Sequence, residues 1–140
     1  MASDLTVIVQ TALRRYAVRR DDILEIKLVA NPAGLPIADE HGRTCIAVEL
    51  GPLLDPADQS THTRRHALIV PLRRRLVALL TDRVESLQEH AGIEALPALL
   101  RAQLREPWAI GALLLGSDLI VQLDLRAVAR TALALRSGER

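Results

Sequence analysis

Four histidines, one cysteine and a few hydroxyl and acidic groups are the side chains of this sequence that could do chemistry. His62 and His66 stand four apart in "QSTHTRRH", a spacing that on a helix would put both imidazoles on one face and could begin a metal site. The stretch reads as polar loop instead, and no Cys or carboxylate lies at a convincing ligand spacing beside the pair. Asp21 and Asp22 are adjacent carboxylates, but their place between two apolar stretches reads as an exposed turn or cap, not an acid–base couple. Thr81 and Ser86 lack the His-and-acid arrangement that would activate a hydroxyl. Gly111 and Gly116 flank a hairpin rather than cradle a phosphate. Cys45, in an apolar run, reads as a small core hydrophobe, and as the single cysteine it can form no intrachain disulfide. The residues thus indicate no catalytic group, no metal and no cofactor.

Two arginine clusters remain, Arg14–Arg15 and Arg73–Arg75. Small barrels that bind single-stranded nucleic acid combine a basic groove with aromatic platforms on which bases stack. Here Tyr16 and Trp108 are the only aromatic residues, and 18 Lys+Arg against 17 Asp+Glu leave a net charge of +1. The global attraction to phosphate that such binders carry is therefore missing. Both clusters fall where a strand pair turns, and a turn must be wetted, so a solvated turn is the plainer reading. Single-strand binding through the arginine-rich turns stays as an alternative.

The elements that would position these residues are mostly strands. "LTVIVQ" (Leu5 to Gln10) alternates, with Leu5, Val7 and Val9 on one face. "TALRR" turns the chain, "YAVRR" runs back, and "DDILEI" is a polar-led step before "KLVA". "NPAGLPIADEHG" is rich in breakers and reads as loop. "CIAVEL" (Cys45 to Leu50) alternates again, with Ile46, Val48 and Leu50 inward and Ala47 and Glu49 outward. "GPLLDPADQSTHTRRH" reads as a polar surface crossover. "ALIVPL" and "LVALLTD" flank the three arginines. "EALPALLRAQLRE" fits a helix, and "WAIGALLL" and "LIVQLDL" form a hairpin around "GSD". Asp124 can cap a last amphipathic helix, "LRAVARTALAL". Short strands punctuated by turns suggest small barrels, which remove sheet edges by closure.

At 140 residues, 49% hydrophobic and 25% charged, the chain suits one globular domain with a real core. No apolar run approaches the ~18 residues of a membrane span, and "MASDLTVIVQ" lacks a signal-peptide layout. The expectation is a soluble cytoplasmic protein.

The sequence also echoes itself. "TVIVQTALRRYAVRRDDILEI" lies without gaps over "ALIVPLRRRLVALLTDRVESL" at an offset of 61, so that Ile8 meets Ile69, Ala17 meets Ala78 and Ile26 meets Leu87. "CIAVELGPLL" lies over "IVQLDLRAVA" at an offset of 75, so that Ile46 meets Val121 and Glu49 meets Asp124. Two similar β lobes are the inference, over a single domain spanning residues 1–140.

These segments resemble the CheW-like adaptor domain of chemotaxis-type signalling. "ALIVPLRRRLVALLTDRV" is similar to the family's strand, turn and strand ending in Asp and Val, and "WAIGALLLGSDLIVQLDLRAVA" to its closing hairpin. "YAVRRDDILEI" is similar to the segment in which a Tyr-Ala strand leads through an Asp-containing step to Glu-Ile, here Glu25 and Ile26. "DEHGRTCIAVEL" has the length of the family's Asn-Leu-Arg-Gly…Pro-Val-x-Asp-Leu motif. Gly42 and Leu50 are kept and Glu49 keeps the acid, while Asp39, Glu40 and His41 replace Asn, Leu and Arg, and Ile46 replaces Pro.

The resemblance implies two intertwined five-stranded barrel-like lobes, all-β with a few short helices, with a groove between them. It implies no enzymatic activity and no cofactor. The function implied is that of a cytoplasmic adaptor coupling chemoreceptor-type signalling proteins to the regulatory domain of a histidine kinase, without nucleic acid or direct membrane insertion. A CheW-like regulator of a pilus or gliding kinase system is the rival within the same fold. Partner contacts are expected at Glu25, Ile26 and Lys27, at Gly42, and at His41 in place of the motif's Arg. If Ile26 is such a contact, Ile26→Asp abolishes binding at an unchanged melting temperature; if it is core, stability falls.

Overall fold

A computed structural model of the chain describes residues 5–30, 37–89, 93–94, 108–115 and 118–138. Two hairpins organise it. β1 (Leu5–Gln10) and β2 (Arg15–Arg19) form the first, and β6 (Arg64–Pro71) and β7 (Leu76–Thr81) the second. Their registers are the same 61 positions apart: Ile8 faces Ala17 in one, and Ile69 faces Ala78 in the other. The turns match as well. Thr11 N donates to Arg14 O at 2.9 Å, and Leu72 N to Arg75 O at 2.8 Å.

Each hairpin then sends its next strand to the other. β3 (Glu25–Ala30) follows β2 in the chain but pairs with β6, whereas β8 (Arg83–Glu89) follows β7 but pairs with β1. With β4 (Ile37–Ala38), β5 (Thr44–Glu49), β9 (Ile93–Glu94), β10 (Ala109–Leu115) and β11 (Asp118–Leu123), the sheets run β3-β6-β7-β5-β4 and β8-β1-β2-β11-β10-β9. The shorter sheet and the first five strands of the longer one share a single topology. The parallel pairings also correspond, Tyr16 with Val121 and Val77 with Ile46. This is the intertwining that the family resemblance implied, and it binds each half to the other through backbone ladders.

Strand exchange buries both faces of the central strands. Val7, Val9, Val18, Leu68, Val70, Val77 and Leu79 point into one core shared by the two sheets, where Leu125, Val128 and Ala129 of α2 (Leu125–Gly138) also pack. The opposite faces fill a smaller core in each lobe. Ile8, Ala17 and Ile120 form one, and their repeat equivalents Ile69, Ala78 and Cys45 join Ile37, Leu76 and Leu80 in the other. Cys45 is the core residue its apolar surroundings indicated. Ala47, expected to face outward, packs against this second core instead, because the strand lies between two apolar layers.

Other elements depart from expectation. The supposed polar crossover after Leu50 begins with α1 (Leu50–Leu54), in which Leu50 and Gly51 are buried. A Cβ on Gly51 would lie 2.6 Å from the backbone oxygen of Asp58, so this close approach requires glycine. The breaker-rich loop contains β4. Asp22, expected on an exposed step, ends a 3-10 turn (Arg20–Asp22) and is only 7% exposed. The expected helix from Glu94 to Glu106 lies outside the described residues except for Glu94, which is in β9. The 116–117 turn and His90 also lie outside them. Asp124 caps α2 as expected, accepting from Arg126 N at 3.1 Å and Ala127 N at 3.2 Å. No described helix is long and apolar enough to cross a membrane.

Candidate protein-docking site

Of the five residues expected to touch partners, Glu25 and Lys27 reach across one seam to the segment that carries His41 and Gly42, while Ile26 lies on the opposite face of its strand. β3 and β4 end opposite edges of the five-stranded sheet, yet the sheet curls far enough to bring them together. Lys27 Nζ donates to Ala38 O at 2.6 Å, and Glu25 Oε1 accepts from Glu40 N at 2.9 Å. Side chains thus close the lobe where no backbone ladder does. This gives the polar ends of Glu25 and Lys27 a structural partner within the chain.

The Asp39–Arg43 turn beside them is built around a buried carboxylate. Asp39 Oδ1 accepts from His41 N at 3.1 Å and Arg43 N at 2.8 Å, and the Arg43 guanidinium reaches Oδ2 at 2.7 Å. Burial pushes this carboxyl up, but the donors from Arg43 and His41 outweigh it and hold it below its ordinary pKa. Gly42 completes the turn at φ +79°, donating its N–H to Asp39 O at 3.0 Å. That is a left-handed conformation, which explains the glycine without reference to any partner. The His41 ring is exposed, 3.3 Å from the equally exposed Glu40 carboxylate.

Alternation along β3 separates structure from surface. Glu25, Lys27 and Val29 turn toward the seam and the lobe's own core, while Ile26 packs half-buried against the shared core. Leu24 and Leu28, of the same parity as Ile26, emerge at 43% and 60% exposure. An apolar ridge, Leu24–Ile26–Leu28, therefore runs from core to solvent along an edge strand. Reading the segment by its Glu-Ile pair missed Leu24 and Leu28; the period of two in "LEIKL" was the available signal.

A second concavity, of about 580 Å³, brings Tyr16 and Trp108 together beside Leu54, Val121, Arg14 and Arg15. Burial raises the Tyr16 hydroxyl to about 12. The arginines there are not simply wetted, as their turn position suggested. Arg14 pairs with Asp55 at 3.1 Å, and Arg15 with Glu85 at 3.0 Å and Asp118 at 3.5 Å.

The two histidines spaced by four lie near one acid. His66 Nδ1 is 3.4 Å from Asp82 O, His62 Nε2 is 3.9 Å from Asp82 Oδ2, and Ser60 donates its hydroxyl to the same carboxylate. The cation that neutralises Asp82 is the buried Arg65, with Nε at 3.3 Å, and Arg65 also forks onto Glu49 at 2.5 and 2.6 Å. This chain of charge, from Glu49 through Arg65 to Asp82, ties β5, β6 and the end of β7 together. Among the described residues no three His, Cys, Asp or Glu converge as metal ligands. Thr81 Oγ1 donates to the backbone oxygen of His66 and not to its ring.

Comparison with solved structures matches this architecture to the scaffolding protein TtCheW from Thermoanaerobacter tengcongensis. The TM-score is 0.64 over 89% of this chain and 86% of that one. The chain has the CheW fold. Identity to TtCheW is 15%, so the likeness lies in strand order and packing rather than in shared residues. No protein-family model matches the chain, and no curated protein matches it. On the CheW-like frame, the expected contacts Glu25, Ile26, Lys27, His41 and Gly42 occupy the β3 edge and the turn it meets.

Proposed function

We propose that this chain is a non-enzymatic CheW-like adaptor that couples receptor-type signalling proteins to the regulatory domain of a chemotaxis-type histidine kinase in the cytoplasm. Strand exchange supports the reading most. A scaffold whose halves each contribute a strand to the other's sheet resists separation and can hold two partners in fixed relation. The overall likeness to a scaffolding protein agrees with that role.

The docking edge in this reading is β3 with its adjoining turn. Leu24, Ile26 and Leu28 supply apolar contact, and the affinity is concentrated in these few side chains. Glu25 and Lys27 hold the seam that keeps the edge in place, while His41 and Gly42 shape the turn at its rim. The clustered arginines of the β1–β2 turn are neutralised by acids of the same chain, which argues against their serving as a phosphate track.

Titration calorimetry against the isolated regulatory domain of a candidate histidine kinase tests the proposal. Saturable binding that survives moderate salt and is lost in Leu28→Asp is expected. Absence of binding to both kinase and receptor fragments, or tight salt-sensitive binding to single-stranded DNA, would overturn it.

A further inference from the structure

The repeat makes the β1–β2 and β6–β7 turns equivalent, yet they treat charge in opposite ways. Arg14 and Arg15 are answered by Asp55, Glu85 and Asp118. Arg73, Arg74 and Arg75 are exposed, and none has an acidic partner among the described residues. α2 carries Arg126 and Arg130 to the same place, likewise exposed and without an ion pair among the described residues. The nearby acids answer little of this charge: Asp124 caps the helix, and the buried Asp22, paired with Arg19, also feels the charge of Arg126. These five guanidiniums rim a groove of about 680 Å³ whose floor is Pro71, Leu72 and Leu133.

Five like charges around one apolar groove repel each other; water and salt screen that repulsion in part, and an anionic ligand seated in the groove would relieve it further. The floor decides which kind. Polyanions that bind through phosphate alone would leave Leu72 and Leu133 uncovered, and the groove has no aromatic ring on which a base could stack. A side chain mixture of carboxylates and aliphatics satisfies both parts. An amphipathic helix laid in a groove provides it on adjacent faces.

We propose that the groove between the β6–β7 turn and α2 docks an acidic amphipathic segment of a protein partner, its aliphatic face on Leu72 and Leu133 and its carboxylates on the arginine rim. This is a second surface, on elements other than β3, and it does not rest on the adaptor reading.

The test uses the full chain and a fluorescent model peptide with Leu along one helical face and Glu along the other. Controls are a scrambled peptide of the same composition, an oligo-dT strand and anionic phospholipid vesicles. The designed peptide is expected to bind at least tenfold more tightly than the scrambled one. The double variant R74E/R130E and the single variant Leu133→Asp are each expected to weaken it about tenfold with an unchanged melting temperature. Equal binding of the scrambled peptide, tighter binding of oligo-dT or vesicles, or undiminished affinity in R74E/R130E would overturn the proposal. Leu28→Asp serves as the separating control, since it leaves peptide binding intact even where kinase binding is lost.

Discussion

Lys27 Nζ lies 2.6 Å from the carbonyl oxygen of Ala38 and so joins the two edge strands of the five-stranded sheet. An ammonium on a flexible stem does here what a backbone ladder does elsewhere. Replacing Lys27 with Met keeps the stem and removes the donor. The expected loss is about 1.5–3 kcal/mol, the range for one hydrogen bond to a charged group, read as a lowered urea midpoint at unchanged slope. A midpoint equal to wild type would show that the lobe does not need this closure.

Ile26 and Leu28 share a face of β3 but not an environment. Ile26 packs against the shared core, so Ile26→Asp is expected to lower stability by about 2 kcal/mol or more, and it cannot report cleanly on binding. Leu28 is 60% exposed. Leu28→Asp is expected to change stability by less than about 0.5 kcal/mol while weakening the kinase-domain complex at least tenfold. Calorimetry and thermal melts on both variants separate the two effects.

Asp58 fastens the first hairpin turn to the loop after α1, accepting from the Thr11 hydroxyl at 2.5 Å and Leu13 N at 3.0 Å. Asp58→Ala leaves Leu13 N without its acceptor and the Thr11 hydroxyl with only its longer bond to Arg14 O at 3.2 Å. A loss of about 3 kcal/mol is expected in equilibrium unfolding, against less than about 1 kcal/mol for removal of an exposed acid such as Glu40.

Two aspartates give opposite pH responses. Asp39 has its pKa lowered by Arg43 and His41, so the folded chain releases this proton more readily than the unfolded one. Its contribution is present above the ordinary value of 3.8 and fades as pH falls through the lower folded value. Asp22 has its pKa raised, chiefly by burial, and Oδ2 has no hydrogen bond. Between 3.8 and its higher folded value the native state holds the extra proton, so this group's effect on stability worsens as pH rises. Asp22→Asn is expected to match or exceed wild-type stability at neutral pH, and Asp39→Asn to fall below it there. Urea titrations from pH 3 to 7 check both signs.

Much of the fold was legible because its signals are local. Alternation in "LTVIVQ" and "CIAVEL" marked strands, and the 61-residue echo aligned hairpins whose registers then matched residue for residue. Asp124 before "LRAVAR" marked a helix start that the structure caps in just that way. α1 was hidden because it opens a long, mostly polar segment that read as a surface crossover. Only the packing of Gly51 against Asp58 shows why a helix turn fits there.

The site was legible in part. Residues of the Glu-Ile segment and the Gly42 turn were singled out, and they do meet. That Lys27 and Glu25 spend their polar ends on β4 and Glu40 is decided by how far the sheet curls, a property of the whole lobe. The arginines show the same division. By itself the sequence determined that two strand pairs turn on basic residues, since turn chemistry depends on neighbours in the chain. Only the tertiary structure decided that Arg14 and Arg15 meet acids from distant strands while Arg73 to Arg75 join Arg126 and Arg130 around a bare groove. Coulomb interactions act through space, and strand exchange sets which charges share it.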